Sequence, residues 1–132
     1  MISFAFLRFR GQTFLPMTLK IQAGNITEML GKMTPDEVPS TVDSGSPSVA
    51  YNELASDDLL ETGVWSMTKG GFTIESYSVA ESMVMLAGHL RMTDAEGDVT
   101  DLHKGDMFYI PKGWKGRWDV IEDMQKMYVI VY

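Results

Sequence analysis

The chain has 132 residues, 45% of them hydrophobic and 22% charged, which suits a single globular domain with a real core. It contains no cysteine, so disulfides, thiolate metal sites and a cysteine nucleophile are excluded. Eleven basic against eighteen acidic residues leave a net charge of −7, which argues against a nucleic-acid partner. No apolar run approaches the roughly eighteen residues of a membrane span.

The first residues, "MISFAFLRFRGQTFLP", begin apolar but are interrupted by Arg8 and Arg10 and have no basic leader, so they do not read as a signal peptide. Met17 opens "MTLKIQAGNI" and would serve equally as a start. Residues 1–60 read as an irregular N-terminal extension. In it "FAFLRF" or "MTLKIQ" is a candidate strand, and the Pro/Ser-rich "KMTPDEVPSTVDSGSPSV" is expected to be an extended loop or lid. "NELASDDLLETG" offers one helical turn ending at Gly63, or a loop.

From about residue 61 to 132 the texture changes to that of a compact all-β core. Short runs rich in Val, Ile, Tyr, Phe and Met alternate with turn signals, at the spacing of an antiparallel sandwich or barrel. The turns fall at Lys69–Gly71, Asp94–Gly97, Lys104–Asp106, Pro111–Gly113 and Glu122–Asp123. Gly88, inside the apolar run "SMVMLAGHLRMT", predicts a bulge or a close backbone approach. In "GDMFYIPKGWKGRW", Gly105 and Gly113 supply turn conformations that side chains resist, and Pro111 ends the strand between them.

Glu81 stands seven residues before Gly88, and Gly105 is followed by Pro111 and Gly113. This framework over residues 63–132 resembles the two motifs of the cupin family, an antiparallel jelly-roll barrel. The gap between the motifs, Trp65, "GRW" and the terminal "KMYVIVY" are similar to one branch of it. That branch is the small single-domain cupins grouped with the ureidoglycine aminohydrolase cupin domain and the ethanolamine-utilisation cupin. The resemblance implies one domain of cupin-type β-barrel.

The family ordinarily holds a divalent metal through three histidines and the motif glutamate. Here the histidine positions fall on Ile74 and Ser76 (or, one residue shorter, Glu75 and Tyr77) and on Gly116, and Glu81 alone remains. His89 and His103, the only histidines, stand elsewhere, so no metal and no other cofactor is expected, a site using Glu75, Glu81 and a displaced histidine being the remaining alternative.

Strand alternation places Met83 and Met85 on the face of Glu81, and Trp118 beside Gly116. The expected ligand pocket is therefore Trp65, Ile74, Ser76, Met83, Met85, Gly116 and Trp118. Glu81, with Tyr77 or Lys126, is the candidate acid–base group, or else a polar anchor of the core. The functional expectation is a metal-free barrel for an unidentified small molecule. The alternatives are a lyase, isomerase or hydrolase acting through Glu81, and an accessory protein of amine catabolism. The resemblance further implies a cytoplasmic homodimer, joined through an N-terminal edge strand.

Overall fold

The computed structural model describes residues 19–132. Helix α1 (Ile26–Leu30) is capped by Asn25, whose side chain accepts from the Glu28 amide, and it precedes nine antiparallel strands. These are β1 (Thr34–Asp36), β2 (Val42–Gly45), β3 (Val49–Ser56), β4 (Leu60–Met67), β5 (Gly70–Ile74), β6 (Ala80–Asp94), β7 (Val99–His103), β8 (Met107–Ile110) and β9 (Gly116–Val131). The antiparallel all-β barrel expected from the turn spacing, and the jelly-roll type that the resemblance implies, is the fold observed. No helix among the described residues is long and apolar enough to cross a membrane.

Two long strands organise the barrel. β9 pairs with β6 along its whole length, while its other edge meets β5 over residues 116–120 and β4 over residues 124–131. β3 and then β1 continue the sheet from β4, and β2 extends it from β5. The far edge of β6 carries β8 opposite residues 81–84 and β7 opposite residues 89–93.

Gly88 marks the bend in β6. Its φ is +86°, and the register against β9 shifts around it, between Met85 and Leu90. The extra residues flip the alternation: Glu81, Met83 and Met85 point inward before the bend, Leu90 and Met92 after it. A Cβ at position 88 would run into the Asp123 carbonyl of β9, so the close approach read from the sequence is real. Gly105 and Gly113 also take positive φ, +93° and +92°.

Three local expectations are corrected. Residues 52–63 form no helical turn: β3 and β4 are a hairpin closed by Asp57, whose carboxylate accepts from the amides of Leu59 and Leu60. The Pro/Ser-rich stretch is not a lid but supplies the edge strands β1 and β2, and edges are where a proline such as Pro35 is tolerated. Glu122–Asp123 does not end a strand. β9 runs through it, its partner changing there from β5 to β4, and Asp123 accepts from the Lys69 amide at the β4–β5 turn. Of the two candidate N-terminal strands, residues 4–9 lie outside the described residues, and residues 19–22 of the second form no strand.

The core fills the barrel with Trp65, Met67, Phe72, Ile74, Met83, Met85, Leu90, Trp118, Tyr128 and Ile130 among others. Trp118 stacks on Phe72 at 5.8 Å and meets Trp65 edge-on at 5.9 Å.

Candidate functional site

The register of three strands builds the polar centre of the barrel. Ile130 on β9 lies between Glu61 of β4 and Glu81 of β6. Tyr128 lies between Gly63 and Met83, and Lys126 between Trp65 and Met85. Glu61, Glu81 and Lys126 are the buried charged residues among those described. Lys126 starts opposite Met85 and runs along the inner face past Met83 to reach Glu81.

Its Nζ lies 2.8 Å from Glu81 Oε2 and 3.1 Å from Met83 Sδ. The same ammonium sits 4.6 Å from the Trp65 ring centroid and 5.0 Å from that of Trp118. A carboxylate and two indole faces together offset the desolvation of a lysine that is 3% exposed. Tyr77 Oη donates to Glu81 Oε1 at 2.5 Å, so both carboxylate oxygens are engaged.

Tyr77 reaches Glu81 from outside any strand. Residues 75–79 form an irregular bend in which the Tyr77 amide donates to the Trp114 carbonyl and its carbonyl accepts from the Gly113 amide. Strand alternation stops at Ile74 and does not place Tyr77. The same bend leaves Ser76 exposed instead of beside the buried Ile74. Trp65, Met83, Met85 and Trp118 are all buried as barrel lining. The Trp118 indole N–H has no hydrogen-bond partner among the described residues.

A second carboxylate went unread in the sequence. Glu61 is fully buried and accepts from Tyr128 Oη at 2.6 Å and Tyr132 Oη at 3.2 Å. Its signal was available: Glu61, Gly63, Trp65 and Met67 alternate onto one face, so a Trp65 that points inward carries Glu61 inward as well.

The donor set does not fit the metal that the fold usually holds. Ile74 offers no ligand atom, Ser76 is exposed, and Glu75 is exposed beside Lys115 at 3.7 Å. At Gly116 a Cβ would strike the Thr93 carbonyl and the Trp114 ring, so the last histidine position is filled by an indole from two residues before. His89 and His103 face each other across β6 and β7, their rings stacked at 4.2 Å, and His89 Nε2 lies 2.7 Å from Asp101. Together with Arg91, the His89 contact holds the Asp101 carboxyl below its ordinary range. No group of three or more His, Cys, Asp or Glu suited to a metal occurs among the described residues.

Two cavities open near the barrel mouth. A groove of about 140 Å³ lies between the β6–β7 hairpin, β8 and the turn at Pro111–Trp114. A second, of about 280 Å³, is lined by Ile74, Gly116, Lys115 and Arg117, and Asp94 borders both. Arg117 is clamped between Asp43, at 2.8 and 2.9 Å, and Asp119 at 3.0 Å, which raises its pKa and lowers that of Asp43. Glu81 and Lys126 border neither cavity. Ile110, in the wall of the smaller one, is the cross-strand partner of Glu81.

A family model described as the EutQ-like cupin domain matches residues 54–128 of this chain. The chain belongs to that family. Among solved structures, this cupin superposes with TM-score 0.73 on a DUF861-family protein of unknown function from Pseudomonas syringae pv. tomato. The identity is 22%, over 78% of this chain and 46% of the other, so the chain spans less than half the length of that relative. The EutQ protein of Clostridium difficile matches with TM-score 0.58 and 23% identity, over 69% of this cupin and 75% of that chain. An ethanolamine utilization protein from Salmonella typhimurium matches with TM-score 0.58 and 18% identity, over 76% and 98%. At such identities these likenesses show the fold alone. No curated protein sequence matches this cupin.

Proposed function

We propose that this chain is a metal-independent cupin that takes a small molecule at the mouth of its barrel. The observation that carries the reading is the fate of the metal positions. One is occupied by Ile74, one by the exposed Ser76, one by the Trp114 ring over Gly116, while the surviving Glu81 is engaged by Tyr77 and Lys126. Aromatic and thioether walls with a few fixed polar groups are the ordinary makeup of a small-molecule site.

A thermal-shift screen tests it, with a fragment library on one side and Mn, Fe, Ni and Zn salts on the other. The reading expects saturable stabilisation by at least one organic ligand and none by the metals. Large stabilisation by a metal, with none by any organic compound, would overturn it.

The contact of Tyr77 and Lys126 with one carboxylate favours a second reading, a metal-independent lyase or isomerase that moves a proton through Glu81. Glu81→Gln would then abolish turnover of any substrate found, with the fold retained. A cytoplasmic homodimer, and an accessory role in amine catabolism suggested by the name of the Salmonella relative, belong to the same proposal.

A further inference from the structure

The 140 Å³ groove has a chemistry that the rest of the barrel interior lacks. It is lined by the apolar Met92, Leu102, Phe108 and Trp114 and by two acidic residues, Asp94 and Asp98. Neither carboxylate takes part in an ion pair among the described residues. Asp94 uses Oδ1 to accept the amides of Glu96 and Asp98 in the hairpin turn, whereas the side chain of Asp98 has no hydrogen bond among the described residues. The cations bordering the neighbouring cavity are already held, Lys115 by Glu75 and Arg117 by Asp43 and Asp119. Among the described residues, no ion pair neutralises Asp94 or Asp98.

The aromatic wall is fixed in place. The edge of the Trp114 ring sits where a side chain at position 116 would otherwise stand, and the Trp114 carbonyl accepts from the Tyr77 amide. Losing the histidine at 116 is thus coupled to gaining an indole at the mouth. Aromatic rings and carboxylates lining one groove suit an organic cation, which the ring quadrupole and the negative charge both attract. A cavity of about 140 Å³ equals roughly five water volumes, which limits the occupant to a small ion. The net charge of −7 favours encounter with cations as well.

We propose that this groove binds a small alkylammonium ion, its charged head at Asp94 and Asp98 and its carbon skeleton against Trp114 and Phe108. The proposal rests on the small-molecule reading above and names the ligand class for it.

The test is a titration of the full chain with choline chloride and, separately, with its neutral isostere 3,3-dimethylbutan-1-ol. It follows the indole N–H resonances by NMR, with Trp114→Phe identifying the Trp114 signal. Choline is expected to shift that signal saturably and to bind at least about tenfold more tightly than the alcohol, the gap expected of a charge-dependent site. Asp98→Asn, at an exposed turn position, should weaken choline binding about fivefold or more with the rest of the spectrum unchanged, and Phe108→Leu should weaken it independently. Equal binding of the alcohol, or unchanged binding by Asp98→Asn, overturns the proposal. If choline leaves Trp114 unmoved while fragments from the thermal-shift screen bind, the cation is wrong and the small-molecule reading stands. If nothing binds, both fall.

Discussion

A lysine ammonium enclosed by a carboxylate, a thioether and two indole faces depends on all of them, because each replaces part of the water it has lost. Lys126→Met removes the ammonium and leaves the Glu81 carboxylate buried without its paired charge. That single change should cost about 3 kcal/mol in urea unfolding, the scale of breaking a buried pair from one side. The double substitution Glu81→Gln with Lys126→Met removes both charges and should regain more than half of the loss. A double variant no more stable than Lys126→Met would show that the two side chains are not energetically coupled.

Between strands, the decisive element is the bend of β6. With φ at +86° and a β9 carbonyl where a Cβ would stand, Gly88→Ala combines a strained backbone with overpacking and should cost about 2–4 kcal/mol. Denaturant midpoints compare it with Gly97→Ala, whose added Cβ would meet no atom, so that the difference isolates the contact with Asp123. A midpoint for Gly88→Ala equal to that of Gly97→Ala would sink this account. Gly88 was legible in the sequence because a glycine in an apolar run has few other reasons to exist. The turns at Asp94–Gly97, Gly105 and Gly113 were legible on other grounds, because glycine with polar neighbours between apolar runs signals a reversal. Glu122–Asp123 misled because Asp123 does serve a turn, only not its own: it caps the β4–β5 connection across the sheet. The site was legible where alternation holds, at Glu81, Met83 and Met85, and lost where it stops. Tyr77 sits in a bend whose path is set by the Trp114 turn, and nothing local in "ESYS" reports that. Glu61 was missed because its strand begins in a segment that reads as a loop.

For the molecule as a whole, the outer face of the same sheet raises a question of assembly. Pairing sets Tyr109, Ser82, Val129 and Thr62 in one row across β8, β6, β9 and β4, with Met107, Val84, Met127 and Val64 in the next. Neither row contains a charged side chain, and Met107 and Tyr109 are 74% and 63% exposed. Helix α1 covers the β4 end of this face, where Ile26 and Met29 border an apolar cavity with Val64 and Met127, but the β8 end stays open. Two copies of a chain with net charge −7 repel one another over most of their surfaces. An uncharged face whose β8 edge pairs with no further strand among the described residues is where they can approach, so we infer that a second copy covers it. Sedimentation at micromolar concentration should give the mass of two chains, and added salt should tighten the dimer by screening the repulsion. Met107→Glu places a carboxylate in the patch of both copies at once and should yield a monomer with an unchanged circular dichroism spectrum. A wild-type protein sedimenting at the mass of one chain, or a Met107→Glu variant that remains dimeric, would remove this face from the interface.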